Sequence, residues 1–365
     1  MGWSGGHLST TRPRVVVDCR WIGLGGVGRQ TELLIRGIRE RPGLCNWVLW
    51  GNQRYAHLAG DAVEWVDERS DPRRRFGQMG RRRIPRGDVT VFMCQTRPLA
   101  TRGPSVVVIH DTIQVAFAQS RMSRALRHWY LRRSARSADV VMAVSTWSRD
   151  DIIQTLDVDP GRISILHARG LRRPADLSVQ TGRRGDLLYV GSFAHHKNVP
   201  FLIRAFGRTQ YAQTGGTLRL VGGDGGETVA LQRQMLLPEQ GRVYFAGRVS
   251  DAELDDAYRQ ADAVVQPSLA EGFGLPPREA ILRGLPLCHS GRGAMSDITG
   301  DDIWVFDPTD EASAAGAIDA AIATGQRDHG WARWRRSMRA GPTGDAGAMA
   351  DDVAEAARRA LVGER

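Results

Sequence analysis

The chain has 365 residues, of which 42% are hydrophobic and 25% are charged, a composition that excludes a disordered protein and favours two globular domains. No apolar run approaches the roughly 20 residues of a membrane-spanning helix, and the first residues lack the apolar core of a signal peptide. We therefore expect a cytoplasmic enzyme. The cysteines are too scattered for a structural zinc site or a disulfide framework: Cys19, Cys45, Cys94 and Cys288.

The net charge of +10 comes entirely from the N-terminal half of the chain. Residues 1–180 hold 29 basic and 16 acidic side chains, whereas residues 181–365 hold 21 and 24. The excess lies mainly in two arginine clusters: Arg73, Arg74, Arg75, Arg81, Arg82, Arg83 and Arg86, then Arg121, Arg124, Arg127, Arg132, Arg133 and Arg136. Such clusters either attract an anionic partner (nucleic acid, anionic lipid or a pyrophosphate-linked substrate) or form an ordinary solvated surface.

The N-terminal half alternates short apolar strands with helical patterns, which predicts a parallel sheet covered on both faces. The predicted strands are Arg14–Asp18, Trp47–Trp50, Val89–Met93, Val106–Ile109, Val140–Val144 and Ile163–Leu166. The predicted helices are Gln30–Arg39, Arg121–Arg136 and Trp147–Leu156. Residues 171–186 break this alternation with proline, glycine and arginine, so we expect a linker there, after a domain of residues 1–170.

The same alternation restarts after the linker. The predicted strands are Leu187–Val190, Thr217–Val221, Arg242–Ala246, Ala263–Gln266 and Pro286–Cys288, and the predicted helices are Val199–Arg208, Asp251–Gln260, Pro277–Arg283, Ala312–Thr324 and Asp351–Leu361. We expect a second domain over residues 187–340 and a final helix in residues 341–365 that returns to the first domain. The predicted fold class is α/β, with two Rossmann-like, doubly wound domains facing each other across a cleft. Ligands of such sheets bind at the carboxyl ends of the strands.

The strongest local signal is the segment EGFGLPPRE, residues 271–279, which follows the predicted strand Ala263–Gln266. Its glycine-rich loop leads into a helix opened by two prolines, and the backbone N–H groups of such a junction favour a bound diphosphate. In this setting Glu271 can accept hydrogen bonds from sugar hydroxyls and Glu279 from a ribose diol. The alternative for Glu279 is that it only complements the helix dipole.

A second candidate is Lys197 in the loop GSFAHHKN, residues 191–198, which follows the first strand of the second domain. The other 49 basic residues are arginines, so Lys197 is the only lysine of the chain. A compact ammonium here can neutralise charge on a departing nucleotide diphosphate. The alternative is an exposed lysine at the start of a helix.

Two further candidates lie in the N-terminal half. His110 ends the apolar strand of VVVIHDT, where α/β domains place active-site side chains, although a satisfied histidine in a capped turn is the alternative. The loop GLGGVGRQ, residues 23–30, contains Gly-x-Gly-x-x-Gly, but the next strand lacks the terminal acid of a dinucleotide site. We therefore expect this loop to approach a phosphate or a sugar. Asp157 and Asp159 form an Asp-x-Asp triplet that runs into Pro160 and predicts a turn rather than a metal site.

Together these segments resemble glycosyltransferase family 4, a large retaining group with the GT-B fold. The resemblance rests on segments that follow the family's order: RPRVVVDCRWIGLGGVGRQTELLIRGI, VVVIHDT, AVSTWSRDDI, LLYVGSFAHHKNVPFLIRAF, VYFAGRVSDAELDDAYRQADAVVQPS and EGFGLPPREAILRGLPL. The last segment contains the family's E-x7-E signature. The family retains anomeric configuration, by front-face attack assisted by the leaving phosphate, and usually needs no metal. The resemblance therefore implies no cofactor beyond a nucleotide-sugar co-substrate.

The resemblance implies a role for each matching residue. The catalytic candidates are Lys197 for the leaving diphosphate, Glu271 for the donor sugar and His110 facing that sugar. The implied donor-binding residues are Gly25, Gly26, Gly28, Gly191, Ser192, His196, Phe273, Gly274, Leu275 and Glu279. Two departures stand out. Ser192 and His196 stand where many members have an arginine, so either a protonated His196 substitutes or Lys197 works with less help. A Met-Ser-Asp-Ile run from Met295 replaces a frequent Pro-Glu pair.

We therefore predict a hexosyltransferase that moves a sugar from GDP-mannose or a UDP-sugar to a glycan, a lipid-linked saccharide or another hydroxyl acceptor. The alternatives are a GT-B epimerase or phosphorylase, and a basic nucleic-acid-binding protein, although no nucleic acid is expected as a partner. In Arg121–Arg136, an apolar helical face lies among arginines: Met122, Leu126, Trp129 and Tyr130. This face either packs on the sheet or attaches the protein to an anionic membrane at its inner face.

Overall fold

The computed structural model describes residues 12–70, 72, 84–98, 101–167, 171, 185–223, 242–327 and 347–363. They belong to two compact units. The first unit comprises Met1–Thr112, Ser120–Gly170 and Gly344–Arg365, and the second comprises Ile113–Gln119 and Leu171–Thr343. Most of the predicted linker, and six arginines of the first cluster, lie outside the described residues.

The first unit contains a sheet of seven parallel strands in the order β3-β2-β1-β4-β5-β6-β7. These are β1 (Arg14–Asp18), β2 (Asn46–Gly51), β3 (Glu64–Asp67), β4 (Val89–Phe92), β5 (Ser105–Ile109), β6 (Val140–Ala143) and β7 (Ile163–Ile165). The central strands are buried along almost their whole length because helices cover both faces. Only β3 was not predicted, since this edge strand is short and carries a charged residue at each end.

The second unit contains six parallel strands in the order β10-β9-β8-β11-β12-β13. These are β8 (Asp186–Val190), β9 (Thr217–Val221), β10 (Arg242–Gly247), β11 (Ala261–Gln266), β12 (Leu287–His289) and β13 (Ile303–Val305). The two parallel, doubly wound sheets confirm the predicted fold class. In each sheet the winding direction reverses beside the first strand, so that β1 lies between β2 and β4, and β8 lies between β9 and β11. Such switch points are where open α/β sheets bind ligands.

The described helices are α1 (Gly25–Glu40), α2 (Ile113–Ala116), α3 (Arg121–Ser137), α4 (Thr146–Leu156), α5 (Val199–Gly207), α6 (Gln210–Gln213), α7 (Asp251–Gln260), α8 (Leu275–Leu282), α9 (Glu311–Arg327) and α10 (Gly347–Val362). The final helix, α10, packs against α1 and the strands β4, β5 and β6 in the first unit. None of the described helices has the length and apolar character needed to cross a membrane. All four cysteines are buried and outside disulfides.

Five helices begin earlier than predicted, namely α1, α4, α8, α9 and α10, and two of these, α1 and α8, carry predicted binding residues. α1 begins at Gly25 rather than at Gln30. The prediction started too late because glycine has a low helix propensity, which tertiary context overrides here. Gly25, Gly26 and Gly28, which were predicted to lie in a loop, therefore lie in the first turns of α1. α8 begins at Leu275, two residues before the predicted Pro277, and Gly274 precedes it with a φ of 75°. This left-handed conformation suits glycine and turns the chain from the loop into the helix.

Candidate functional site

The centre of the candidate site is an ion pair at the switch point of the second sheet. Lys197 lies in the loop that follows β8, and Glu271 lies in the loop that follows the neighbouring strand β11. The Nζ atom of Lys197 donates to Oε2 of Glu271 at 2.6 Å. Only 16% and 11% of the two side chains are exposed, so little water screens this charge pair. The fold thus brings two of the three catalytic candidates into direct contact.

Hydrogen bonds hold the two loops against each other. The backbone N–H of Leu269 donates to the carbonyl of His196 at 2.7 Å. Next to Lys197, Asn198 has a φ of 56°, a left-handed conformation that asparagine tolerates better than most residues. Its Nδ2 atom donates to the carbonyl of Pro308 at 3.0 Å. Asn198 therefore fixes the turn that presents the lysine, a role that the sequence reasoning missed.

Glu271 is held in place by a loop that follows β12. The backbone N–H of Ala294 donates to the carbonyl of Glu271 at 2.8 Å. Gly293 has a φ of 66°, and a Cβ atom at this position would lie 2.6 Å from the backbone nitrogen of Glu271. The close approach requires glycine. The sequence contains 42 glycines, so nothing in the chain alone marks this one as a support of the site.

The loop from Phe273 to Leu275 is ordered by a cation–π contact. The guanidinium carbon of Arg278 lies 4.4 Å from the centre of the Phe273 ring, and its Nε atom donates to the carbonyl of Phe273 at 3.3 Å. No side chain caps the start of α8 at Gly274. The first N–H groups of this helix can therefore donate hydrogen bonds to an anionic ligand.

Glu279 lies on α8 and is 8% exposed. Its Oε2 atom accepts a hydrogen bond from the hydroxyl of Tyr258 on α7 at 2.9 Å. The first turn of α8 contains no acidic residue, so Glu279 lies beyond the turn in which the helix dipole acts, and its buried carboxylate has Tyr258 as a partner instead. The sequence reasoning did not single out Tyr258.

Gly191 and Ser192 begin the loop that carries Lys197. The N–H of Gly191 donates to the carbonyl of Val221 at 2.9 Å, and the carbonyl of Ser192 accepts from the hydroxyl of Tyr189 at 2.6 Å. A Cβ atom at Gly191 would lie 2.7 Å from that same hydroxyl. The structure thus gives Gly191 a packing reason to be glycine, and Ser192 is exposed.

His196 is the residue that stands in for an arginine. Its burial, and secondarily the charge of Lys197, lower the pKa of His196 to about 4. The ring centre lies 5.9 Å from that of Phe117, which belongs to the second unit. At neutral pH the imidazole is therefore uncharged in the protein as it stands. These surroundings disfavour the charged ring and so favour the alternative in which Lys197 works without a second cation.

His110 follows β5 in the first unit and is 8% exposed. Its Nε2 atom lies 2.9 Å from the carbonyl of Met93, so Nε2 carries the proton and Nδ1 is the acceptor. Burial lowers the pKa of His110, so this histidine is neutral at neutral pH. A neutral ring held by a backbone carbonyl can accept a hydrogen bond at Nδ1.

The glycines of α1 differ from one another. A Cβ atom on Gly28 would lie 2.9 Å from the backbone nitrogen of Gly23 and closer still to the carbonyl of Trp21, so packing alone demands glycine there. Gly25 and Gly26 have open space where a Cβ atom would be. The first turn of α1 has no side-chain cap and no acidic residue. The start of this helix therefore leaves room for an anion.

No group of three or more histidine, cysteine, aspartate or glutamate residues that can hold a metal ion occurs in the part of the chain that the structure describes. The Asp-x-Asp triplet has other partners. Asp157 accepts from Arg132 at 2.6 Å and from Arg136 at 3.1 Å, and Asp159 accepts from the N–H of Gly161 at 2.9 Å. These contacts place the triplet in the turn that the sequence predicts.

The apolar face of α3 is exposed over most of its length. The exposed fractions are 82% for Met122, 64% for Leu126 and 53% for Trp129, while Tyr130 is half-buried. The alternative in which this face packs on the sheet is therefore wrong for three of its four residues. Leu131 and Ala135 pack inward instead, on the opposite side of the helix.

Comparison with known proteins gives an independent view of the family. The model described as "Glycosyltransferase Family 4" matches residues 24–168, and the model "Glycosyl transferases group 1" matches residues 179–337. The O-antigen chain mannosyltransferase RfbU of Salmonella typhimurium is 27% identical over 58% of this chain and 59% of its own length. The O-antigen chain mannosyltransferase B of Escherichia coli is 30% identical over 55% of each chain. The chain thus spans between half and three fifths of the length of these relatives.

Solved structures agree with the fold at low sequence identity. Alr3699/HepE of Anabaena, solved with UDP-glucose, has a TM-score of 0.69 and 16% identity over 94% of this chain and 98% of its own. WaaG, a glycosyltransferase of lipopolysaccharide biosynthesis, has a TM-score of 0.67 and 16% identity over 93% and 98%. The family assignment is supported by the two parallel sheets, by the E-x7-E segment and by the two consecutive family matches. This chain belongs to glycosyltransferase family 4 and has the GT-B fold.

Proposed function

We propose that this protein is a retaining glycosyltransferase that moves a hexosyl group from a nucleotide sugar to a hydroxyl of a glycan or lipid-linked acceptor. The observation that carries the proposal is the contact between Lys197 and Glu271 at the β8–β11 switch point. It puts one cation and one carboxylate where a doubly wound sheet binds its ligand. A diphosphate and the sugar attached to it need these two kinds of group side by side.

The proposed chemistry needs charge stabilisation at the leaving group. The bond between the anomeric carbon and the phosphate oxygen breaks, and the acceptor oxygen bonds to the same face of that carbon. The acceptor proton passes to the departing phosphate. Lys197 would stabilise the growing negative charge, and Glu271 would accept hydrogen bonds from sugar hydroxyls. We propose that the reaction uses no cofactor and no metal ion besides the nucleotide-sugar co-substrate.

The names of the relatives guide the choice of substrates. Two relatives are named O-antigen chain mannosyltransferases, which supports a mannosyl donor, GDP-mannose, and a growing polysaccharide as the acceptor. The structural neighbour HepE was solved with UDP-glucose, which supports a UDP-sugar. Both donor classes therefore belong in the test.

The rival functions lack such support. A phosphorylase that uses pyridoxal phosphate needs a lysine for the cofactor, and the only lysine of this chain is the one paired with Glu271. An epimerase does not need an acceptor and leaves the similarity to named transferases unexplained. A nucleic-acid-binding protein leaves the contacts of Lys197, Glu271 and Glu279 in the second unit unexplained.

A donor panel tests the proposal. The purified protein is incubated with GDP-mannose, UDP-glucose, UDP-galactose and ADP-glucose, with a lipid-linked oligosaccharide pool as acceptor. We expect nucleoside diphosphate release from one donor, a product heavier by one hexose, and a retained anomeric configuration by NMR. Release of sugar 1-phosphate from the oligosaccharide after addition of inorganic phosphate would indicate a phosphorylase, and donor isomerisation without nucleoside diphosphate release would indicate an epimerase. Binding of none of the donors would overturn the proposal.

We further propose that the protein works at an anionic membrane surface and docks there through α3. This helix carries six arginines and no acidic residue, and Arg121 and Arg124 are exposed beside Met122 and Leu126. Exposed arginines attract anionic headgroups, and exposed methionine, leucine and tryptophan side chains can enter the apolar boundary beneath them. A lipid-linked acceptor would be reached in the same place.

A further inference from the structure

Tyr258 makes a buried contact that the proposed chemistry does not yet use. It lies on α7, is fully buried, and donates its hydroxyl hydrogen to Oε2 of Glu279 on α8 at 2.9 Å. Burial raises the pKa of Tyr258 well above its ordinary value, so the hydroxyl remains a donor throughout the range in which proteins are stable. Because both groups are buried, each needs the other as a hydrogen-bond partner.

Tyr258 is itself held in position. The guanidinium carbon of Arg283 lies 4.4 Å from the centre of the Tyr258 ring, and Arg283 forms an ion pair with Asp255 on α7. The Nη1 atom of Arg283 also donates to the backbone carbonyl of Glu279 at 3.2 Å. The ring of Tyr258 therefore packs against the Arg283 guanidinium, which contacts residues of both α7 and α8. Such a restrained donor fixes the direction of the glutamate side chain, which otherwise has three rotatable bonds.

We propose that Tyr258 is a positioning residue for the donor ribose, because it orients the Glu279 carboxylate so that this group can accept from the ribose hydroxyls. The inference rests on the proposed function, in which Glu279 binds the ribose. A carboxylate has roughly four acceptor directions, so a bond from Tyr258 is compatible with bonds from the ribose hydroxyls. Tyr258 would act on nucleotide affinity through Glu279, without touching the nucleotide.

Replacing Tyr258 by phenylalanine removes one oxygen atom and keeps the ring under Arg283. The dissociation constant of the nucleoside diphosphate that wild type binds, chosen from UDP, GDP and ADP, is measured by calorimetry. The same is done with its 2′,3′-dideoxy form, which lacks the ribose diol. We expect Tyr258→Phe to weaken binding of the normal nucleotide roughly fivefold to tenfold, the size of effect expected for the loss of one ordinary hydrogen bond. The dideoxy nucleotide should change less than about twofold, since it has no diol to lose.

Tyr211→Phe is the matched control. Tyr211 is also buried in the second unit, and its hydroxyl donates to the carbonyl of Gly185, away from Glu279. This variant should bind both nucleotides as wild type does. In the transfer assay, Tyr258→Phe should raise the donor KM by the same factor and leave kcat within about twofold, because the ribose is remote from the reacting bond.

Equal weakening of the normal and dideoxy nucleotides by Tyr258→Phe would overturn the inference and indicate a general structural role. Unchanged affinity for both would overturn it as well. Either result leaves wild-type nucleotide binding intact, so the proposed function survives. A wild type that binds none of the three nucleotides would instead remove the proposed function, and this inference with it.

Discussion

The Nζ atom of Lys197 lies 2.6 Å from the Oε2 atom of Glu271, although 74 residues separate the two in sequence. The contact exists because β8 and β11 are neighbours in the sheet and each contributes the loop at its carboxyl end. In the proposed reaction the ammonium has to serve a departing diphosphate. We therefore expect the rate of sugar transfer to depend on Lys197.

Lys197→Ala should lower kcat about 100-fold to 1,000-fold while the dissociation constant of the donor rises less than about threefold. The reason is that the charge which Lys197 neutralises grows as the diphosphate departs. Lys197→Arg should recover part of the rate, because it restores the charge without the compact geometry. Steady-state kinetics and donor titration provide the two numbers. Equal losses in kcat and in affinity would count against the proposed role of the lysine.

Gly293→Ala should destabilise the protein and reduce transfer activity. An alanine there has an unfavourable left-handed backbone, and its Cβ atom would push against the backbone of Glu271. We expect a loss of about 1–3 kcal/mol in the free energy of unfolding, measured by urea denaturation. Gly316→Ala is the control, because Gly316 is exposed on α9 and has open space around it. That variant should be as stable as wild type or more so.

His196 should make the protein less stable as the pH falls below neutrality. Burial lowers the pKa of His196 to about 4 from an ordinary 6.5. Between these values the unfolded chain binds more protons than the folded one, so the free energy of unfolding falls as the pH falls. His196→Asn should therefore show a smaller drop in urea midpoint from pH 7 to pH 5 than wild type shows.

The exposed His57 supplies the control for this pH effect. His57→Asn should keep the wild-type drop in urea midpoint between the same two pH values. The remaining drop in His196→Asn is expected to come partly from His110 and His289, whose pKa values burial also lowers. An identical drop in wild type and His196→Asn would contradict the assignment.

Docking through α3 should be measurable with vesicles. The protein should sediment with vesicles that contain phosphatidylglycerol and much less with purely zwitterionic ones, and salt should weaken the binding. The double variants Met122→Ser/Leu126→Ser and Arg121→Gln/Arg124→Gln should each bind roughly tenfold more weakly, since one removes inserted apolar surface and the other removes charge.

Matched controls separate the helix from general surface effects. Val305→Ser removes an apolar side chain that is 59% exposed elsewhere, and Arg102→Gln/Arg248→Gln removes two exposed arginines outside α3. Both should bind anionic vesicles as wild type does. If the wild type does not bind anionic vesicles at low salt, α3 is not a membrane-docking helix. The same conclusion follows if the control variants weaken vesicle binding as much as the α3 variants do.

The sequence alone determined the parallel sheets, nearly all of their strands and the family. Short apolar runs and turn residues are local signals, and a buried parallel strand such as β1 reads as a continuous apolar run. Lys197, Glu271 and Glu279 could also be predicted as site residues, because ligands of α/β sheets bind at the carboxyl ends of the strands. The edge strands β3 and β13 were missed, since short, partly exposed strands lack that pattern.

Only the tertiary structure decided which of these residues meet. Strand order, rather than strand sequence, makes the loops of Lys197 and Glu271 neighbours, and the packing of α7 on α8 gives Glu279 its partner Tyr258. The exposure of α3 was equally open, because an apolar helical face packs or remains bare according to what the rest of the chain places beside it. A contact across distant segments is a property of the assembled fold. The local periodicity that identifies an element does not contain it.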